Sequence, residues 1–95
     1  EVVTREPDNY IGFQELSRLY LRMKKNIPQS RIMAQKAVAL KPSAPGYYDL
    51  ALACAANQDL KGAVRAMEEA VELDPHNVRF AQALTLFKQE VGDTR

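Results

Sequence analysis

The sequence contains very few of the residues on which enzymatic and metal chemistry depend. Among its 95 residues there are one cysteine, Cys54, and one histidine, His76. A single cysteine cannot form an internal disulfide, and a lone histidine excludes most metal sites and most Ser-His or Cys-His catalytic arrangements. Phosphate-binding, dinucleotide-binding, zinc-protease and calcium-loop motifs are also missing. The sequence therefore predicts a non-enzymatic protein with no catalytic residue, no metal site and no cofactor.

Long apolar runs and an excess of one charge are missing as well. No apolar run approaches the roughly 20 residues that span a bilayer. Thirteen basic residues against twelve acidic residues leave a formal net charge of +1, so overall basicity does not point to nucleic acid. We therefore expect neither a membrane segment nor a nucleic-acid partner. The unpaired cysteine favours a cytoplasmic location, and no residue pattern identifies a location directly.

What the sequence does contain is the periodicity of amphipathic helices. Apolar residues recur three and four positions apart along nearly the whole chain, whereas no window alternates apolar and polar residues as a half-buried strand does. The pattern predicts an all-α fold. Its five helices are expected over residues 10–24, 27–40, 45–57, 60–73 and 78–91. The short loops between them place neighbouring helices in antiparallel pairs.

Residues that start or stop helices stand at the predicted boundaries. Asn9, Asn26, Asp59 and Asn77 each precede a periodic stretch. Their side chains can accept a hydrogen bond from a free N–H group in the first helical turn, so we predict an N-cap at each. Gly92 is predicted to end the last helix in the left-handed conformation.

Basic and acidic residues are segregated along the chain. Seven basic residues and no acidic residue lie between Leu16 and Tyr48, whereas six acidic and two basic residues lie between Asp49 and Asn77. Three interpretations stay open. The basic half steers an acidic partner toward the protein, or the signs segregate by chance on solvated helix faces, or copies of the chain attract one another head to tail.

Prolines recur at a spacing typical of helical-hairpin repeats. Pro7, Pro42 and Pro75 are separated by 35 and 33 residues. The segment between Pro42 and Pro75 covers two predicted helices. The first helix has an aromatic residue, a leucine and small residues, and the second has small residues on either side of a bulky residue. These residues are Tyr47, Leu50, Ala51, Cys54, Ala63, Met67 and Ala70. This pattern resembles the tetratricopeptide repeat, with departures at Cys54, where tyrosine is usual, and at Gln58, where the turn usually has glycine.

The resemblance extends over nearly the whole chain. Residues 1–9 resemble the tail of a preceding repeat, 10–43 a less exact repeat, 44–77 the most exact repeat, and 78–91 a capping helix or the first helix of a next repeat. Because the sequence begins with Glu1 inside a repeat, we expect it to be a fragment of a longer protein. The resemblance implies antiparallel hairpins of about five helices, stacked as a right-handed α-solenoid.

The same resemblance implies a binding groove. In tetratricopeptide repeats the first helix of each hairpin lines a concave surface that binds extended peptides or a partner helix. The matching positions in this sequence are Gln14, Arg18, Leu21, Arg22, Tyr48, Asp49 and Leu52. Arg18 and Arg22 share a helix face and can hold an acidic or carboxylate-bearing segment. The alternative is that both arginines only solubilise the helix and that Tyr48 is a packing ring.

The acidic side chain of Asp49 argues against two functions that are found in this family and in related repeats. The carboxylate clamp that captures chaperone tails needs an amide at this position, and an acid there repels the incoming carboxylate. A related class of helical-hairpin repeats binds RNA, which requires a basic groove in every unit. We therefore predict a protein–protein interaction module or scaffold with a protein or peptide partner, favouring an acidic one. The alternative is a structural segment that self-associates and has no peptide ligand of its own.

Overall fold

The computed structural model describes residues 10–24 and 26–93. The described residues form five helices and contain no strand. They are α1 (Tyr10–Met23), α2 (Ile27–Leu40), α3 (Ala44–Ala56), α4 (Leu60–Leu73) and α5 (Val78–Asp93). The all-α prediction is confirmed, and each helix lies within two residues of its expected bounds. The predicted tail of a preceding repeat, at residues 1–9, lies outside the described residues.

Consecutive helices pack against one another along the chain. The most extensive contacts join α1 to α2 and α3 to α4, and these are the two predicted hairpins. Contacts of α2 with α3 and of α4 with α5 join the hairpins and the last helix into one stack. Direct contact between α1 and α3 places the first helices of the two hairpins side by side.

Small residues form the helix crossings of the second hairpin. Ala51 of α3 and Ala63 and Ala70 of α4 are fully buried in one hydrophobic cluster, which Phe80 of α5 completes. Side chains of this size let two helix backbones approach closely. Met67 is the largest fully buried side chain of the described residues and fills the space between the helices. The residues that carry the repeat pattern thus form the core of this hairpin or pack against it.

The first hairpin has serines where the second has alanines. Ser17 and Ser30 are both fully buried at the positions that match Ala51 and Ala63. The Ser30 hydroxyl donates a hydrogen bond to the Ile27 carbonyl oxygen at 2.6 Å, whereas the Ser17 hydroxyl has no partner among the described residues. A buried hydroxyl without a partner lowers stability. The helix crossing in the first hairpin therefore contributes less to the stability of the fold than the crossing in the second hairpin.

Two of the predicted N-caps are confirmed. An Asp59 carboxylate oxygen accepts a hydrogen bond from the Gly62 N–H at 3.0 Å. The Asn77 side-chain oxygen accepts one from the Phe80 N–H at 3.2 Å. Each satisfies a backbone donor that the helix itself leaves free. The predicted cap at Asn9 lies outside the described residues.

Two other predictions about helix ends are wrong. Asn26 has a φ of 55° and makes no side-chain cap, because asparagine tolerates this left-handed conformation and here occupies the link between α1 and α2. Gly92 does not stop α5 in the left-handed conformation, since the helix continues to Asp93 and no described glycine has a positive φ. A cap that the sequence analysis missed is Ser43, whose hydroxyl accepts a hydrogen bond from the Gly46 N–H at 3.1 Å.

The turn between α3 and α4 holds Gln58 in the left-handed conformation, with a φ of 65°. Glycine adopts this conformation without a steric penalty, whereas residues with a Cβ do not. We therefore expect Gln58→Gly to raise the free energy of unfolding by about 0.5–1 kcal/mol in urea denaturation. Gln58→Ala keeps the Cβ and should give no such gain. Equal stability of the two variants would contradict this explanation of the turn.

Candidate functional site

The first helix of each hairpin and the last helix carry the candidate binding surface. Arg18 in α1 forms an ion pair with Asp49 in α3. The ring of Tyr48, the neighbour of Asp49, stacks on Phe80 in α5 with ring centroids 5.1 Å apart and an interplanar angle of 28°. These two contacts link α1 to α3 and α3 to α5. The surface therefore runs across three helices that are distant in sequence.

The Arg18–Asp49 pair is the most extensively bonded ion pair of the described residues. The Arg18 Nε atom donates to both carboxylate oxygens at 3.2 and 3.1 Å, and Nη2 lies 3.0 Å from Oδ2. The Asp49 side chain is only 5% exposed, whereas the Arg18 side chain is 46% exposed. The carboxylate is thus held inside the fold while its partner reaches the surface.

Burial and pairing act in opposite directions on the pKa of Asp49. Desolvation raises the pKa of this carboxyl group above its ordinary value, while the hydrogen bonds and positive charge of Arg18 lower it, and burial is the larger effect. The same hydrogen bonds raise the pKa of Arg18. Pairing with Arg18 therefore offsets part of the cost of burying the Asp49 carboxylate.

The predicted groove residues fall into two groups. Asp49 and Gln14 are buried. The Gln14 amide nitrogen lies so close to Gly46 of α3 that a Cβ atom added to this glycine would be 3.1 Å from it. These two side chains fill the space between α1 and α3. The other five retain exposed surface and are Arg18, Leu21, Arg22, Tyr48 and Leu52. Membership of a binding groove stays a prediction for all seven.

The burial of Asp49 changes the electrostatic argument made from its sequence position. Sequence reasoning treats Asp49 as an exposed negative charge that repels a carboxylate. In the structure its charge is covered and compensated by Arg18. The exposed side chain of this pair is that of Arg18, whereas the Asp49 carboxylate is covered.

Sequence reasoning missed two exposed residues of α5. Gln82 and Leu86 stand 34 residues after Tyr48 and Leu52, at the corresponding positions of the next unit. Both are exposed, and both line a groove of about 550 Å³ along α5. The 34-residue spacing is the signal that could have identified them. The exposed surface therefore continues from α3 onto α5.

Reactive groups do not converge anywhere in the described part of the chain. Cys54 is buried, and burial raises the pKa of its thiol. Residues 10–24 and 26–93 contain no group of three or more histidine, cysteine, aspartate or glutamate side chains that could hold a metal ion. None of the described helices is both long enough and apolar enough to cross a membrane.

Comparison with known proteins gives a family match at the second hairpin. Residues 44–77 match the family model of the tetratricopeptide repeat. This range contains α3 and α4 and begins directly after the N-cap residue Ser43. A search of curated proteins gives no match to the chain. Repeats of this family are typically non-enzymatic scaffolds that mediate protein–protein interaction. Residues 44–77, which form α3 and α4, are therefore similar to a tetratricopeptide repeat.

Proposed function

We propose that this chain is a protein–protein interaction module that binds an acidic peptide, or the acidic face of a partner helix, across α1 and α3. The observation that carries the proposal is the position of Arg18. Its pairing with Asp49 fixes the side chain between the two helices while 46% of that side chain stays exposed. A cation that is already held in place loses little conformational entropy when it binds a carboxylate.

Arg18 retains hydrogen-bonding capacity for a ligand. Asp49 engages the Nε and Nη2 atoms, and a guanidinium group has five N–H donors in all. Arg22 is exposed one helical turn further along α1. Two arginines at this spacing can contact successive carboxylates of one acidic segment by charge-assisted hydrogen bonds.

The apolar part of the surface lies next to these cations. Tyr48 is held by its stacking on Phe80 and keeps part of its ring exposed. Leu52 follows it one turn later on α3 and is also partly exposed. Arginine and tyrosine are enriched among the residues that dominate binding energy at interfaces. The surface therefore fits a ligand that combines carboxylates with at least one apolar side chain.

The local charge favours the approach of an acidic segment. Between Leu16 and Tyr48 the sequence has seven basic residues and no acidic one, and Glu15 is the nearest acid on α1. Summed charge of one sign raises association rates with ligands of the other sign, and salt weakens this effect. We therefore expect affinity for acidic ligands to fall as ionic strength rises.

The proposal is tested by fluorescence anisotropy with labelled eight-residue peptides. One peptide has glutamates around a central leucine, and its control has glutamine at every glutamate. We expect the acidic peptide to bind more tightly, and Arg22→Gln to weaken its binding roughly tenfold because a charge-assisted hydrogen bond is lost. The matched control is Arg65→Gln, which removes an exposed arginine from α4. Equal binding of the two peptides, or an equal loss in both variants, would overturn the proposal.

A further inference from the structure

Two grooves of opposite charge lie along the seam between α4 and α5. At one end of the seam, a groove of about 160 Å³ is lined by two lysines and by no acidic residue. At the other end, a groove of about 570 Å³ is lined by three glutamates and by no basic residue. We call them the lysine groove, with Lys61 and Lys88, and the glutamate groove, with Glu68, Glu69 and Glu72. The charge of the surface therefore changes sign along the seam.

The order of the charges along α4 is unfavourable for this helix itself. Lys61 lies in the first turn of α4, and Glu72 lies in the last turn. The helix dipole favours acidic side chains near the N-terminus and basic side chains near the C-terminus, which is the reverse order. Glu68 and Glu72 are also four residues apart, a spacing at which like charges on a helix repel each other. The stability of α4 alone therefore does not explain this arrangement.

Other charged side chains near the seam lie outside the two grooves. Arg65, His76 and Arg79 do not line the glutamate groove, and Glu90 does not line the lysine groove. Arg65 instead lines a groove on the α2 side of α4. His76 lines the groove along α5. Each groove of the seam therefore carries charge of one sign.

The charges of the seam are not paired within the described part of the chain. Lys61, Lys88, Glu68 and Glu72 form no ion pair with another described residue. All four side chains belong to exposed residues. Glu69 is exposed as well, but it also lines the groove of Arg65 on the other side of α4. The two lysines, Glu68 and Glu72 are thus the charges that the seam offers to a partner.

The seam is complementary to itself under two-fold symmetry. A half-turn about an axis perpendicular to the seam exchanges its two ends, so the lysine groove of one copy faces the glutamate groove of the other. The two contacts in such a pair are identical, as in a symmetric dimer. A partner with charge of only one sign would be attracted to one groove and repelled by the other. Partly exposed apolar residues of the grooves, among them Val64 and Leu84, would be covered in the same contact.

We propose that two copies of this chain form a symmetric dimer through the seam between α4 and α5. Lys61 and Lys88 of each copy contact Glu68 and Glu72 of the other. Because a symmetric contact closes on itself, association ends at the dimer. Because exposed charges hold the two copies together, the dimer dissociates as ionic strength rises.

Reversal of the charge in one groove tests the proposal. One double variant combines Lys61→Glu with Lys88→Glu, and the other combines Glu68→Lys with Glu72→Lys. Each gives the whole seam one sign, so the dissociation constant of the dimer in sedimentation equilibrium should rise at least about tenfold. Lys61→Glu and Glu72→Lys also agree with the helix dipole, so α4 should remain folded in circular dichroism.

Exchange of the two grooves is the decisive variant. A chain with all four substitutions has complementary grooves again, and its net charge is that of the unmodified chain. It should dimerise like the unmodified chain, and an equimolar mixture of the two double variants should form a heterodimer. The matched control is Lys24→Glu with Arg79→Glu, which changes the net charge as much as the lysine-groove variant does. Both control residues are exposed and lie outside the seam, so this control should keep the dimer.

Four results would overturn the proposal. They are an unmodified chain that is monomeric at every concentration in low salt, growth beyond a dimer, a monomeric four-substitution variant, and equal weakening in the control. The seam variants keep Arg18, Arg22 and Tyr48. Dimerisation without peptide binding would therefore contradict only the proposed function, and peptide binding by a chain that stays monomeric would contradict only the dimer.

Discussion

Replacement of Met67 by alanine is expected to lower the free energy of unfolding by about 2–5 kcal/mol. Met67 is 0% exposed and is the largest fully buried side chain among the described residues. Its neighbours in the cluster include Ala51, Ala63 and Ala70, whose short side chains cannot extend into the space that the substitution leaves. The loss therefore combines reduced apolar burial with a residual cavity. Urea denaturation followed by circular dichroism measures it.

The same substitution at an exposed site is the control for Met67→Ala. Met23 lies on the exposed side of α1, and Met23→Ala should change the free energy of unfolding by less than about 0.5 kcal/mol. A loss of stability at Met67 no greater than that at Met23 would show that α3 and α4 do not cross as described. It would also contradict the assignment of the repeat pattern to the core.

Removal of Arg18 is expected to cause the second-largest decrease in the free energy of unfolding. Arg18→Ala leaves the Asp49 carboxylate buried without its partner, and loss of one member of a buried pair commonly costs about 3–5 kcal/mol. Because the Arg18 side chain is 46% exposed, solvent screens part of the interaction. We therefore expect a loss of about 2 kcal/mol in the free energy of unfolding at pH 7.

The dependence of this loss on pH follows from the pKa of Asp49. Burial raises that pKa in the folded chain above its ordinary value of 3.8, so the folded chain binds the proton more tightly than the unfolded chain does. The stability contributed by this proton is fully present below the unfolded pKa and is lost as pH rises through the folded pKa. Arg18→Ala removes the hydrogen bonds that oppose the shift. The decrease in the free energy of unfolding caused by Arg18→Ala should therefore be larger at pH 7 than at pH 4.

A second substitution at Asp49 provides the control for Arg18→Ala. In the double variant Arg18→Ala with Asp49→Asn, the buried side chain is uncharged at every pH. We expect this variant to regain part of the lost stability at pH 7 and to lose the pH dependence. If the double variant were no more stable than Arg18→Ala, or if the loss were equal at pH 4 and pH 7, the buried charge would not be the cause.

Helix positions and the core of the second hairpin could be predicted from the sequence because both depend on local patterns. The three- and four-residue spacing of apolar side chains determines which face of each helix is buried. The alanines at 51, 63 and 70 mark the helix crossings for the same reason. Asp59 and Asn77 cap their helices because an N-cap needs only a suitable side chain next to the first turn.

The Arg18–Asp49 pair could not be predicted because its members are 31 residues apart. The pairing depends on the side-by-side placement of α1 and α3, which helix periodicity does not specify. From the sequence, Arg18 is interpreted as a ligand-binding or a solubilising residue, and neither interpretation gives it a structural role. The structure predicts otherwise, because a glutamate at this position would place a second carboxylate beside Asp49.

Local patterns were also misleading at two helix ends. Asparagine before a periodic stretch indicates an N-cap, yet it also tolerates positive φ, and Asn26 adopts the left-handed conformation. Glycine near the end of a helix indicates a left-handed stop, yet Gly92 is helical. In both cases one residue type suits two backbone conformations, and its presence alone does not select between them.

The central claim is that an acidic segment binds across α1 and α3. A titration of the isotopically labelled protein with the glutamate–leucine peptide, followed by amide chemical shifts in NMR spectra, tests it most directly. The predicted result is a set of shifts that saturates and is concentrated at Arg18, Arg22, Tyr48 and Leu52, with none at Arg65 on α4. Saturating shifts concentrated on α2 and α4, or no saturation at millimolar peptide, would contradict it.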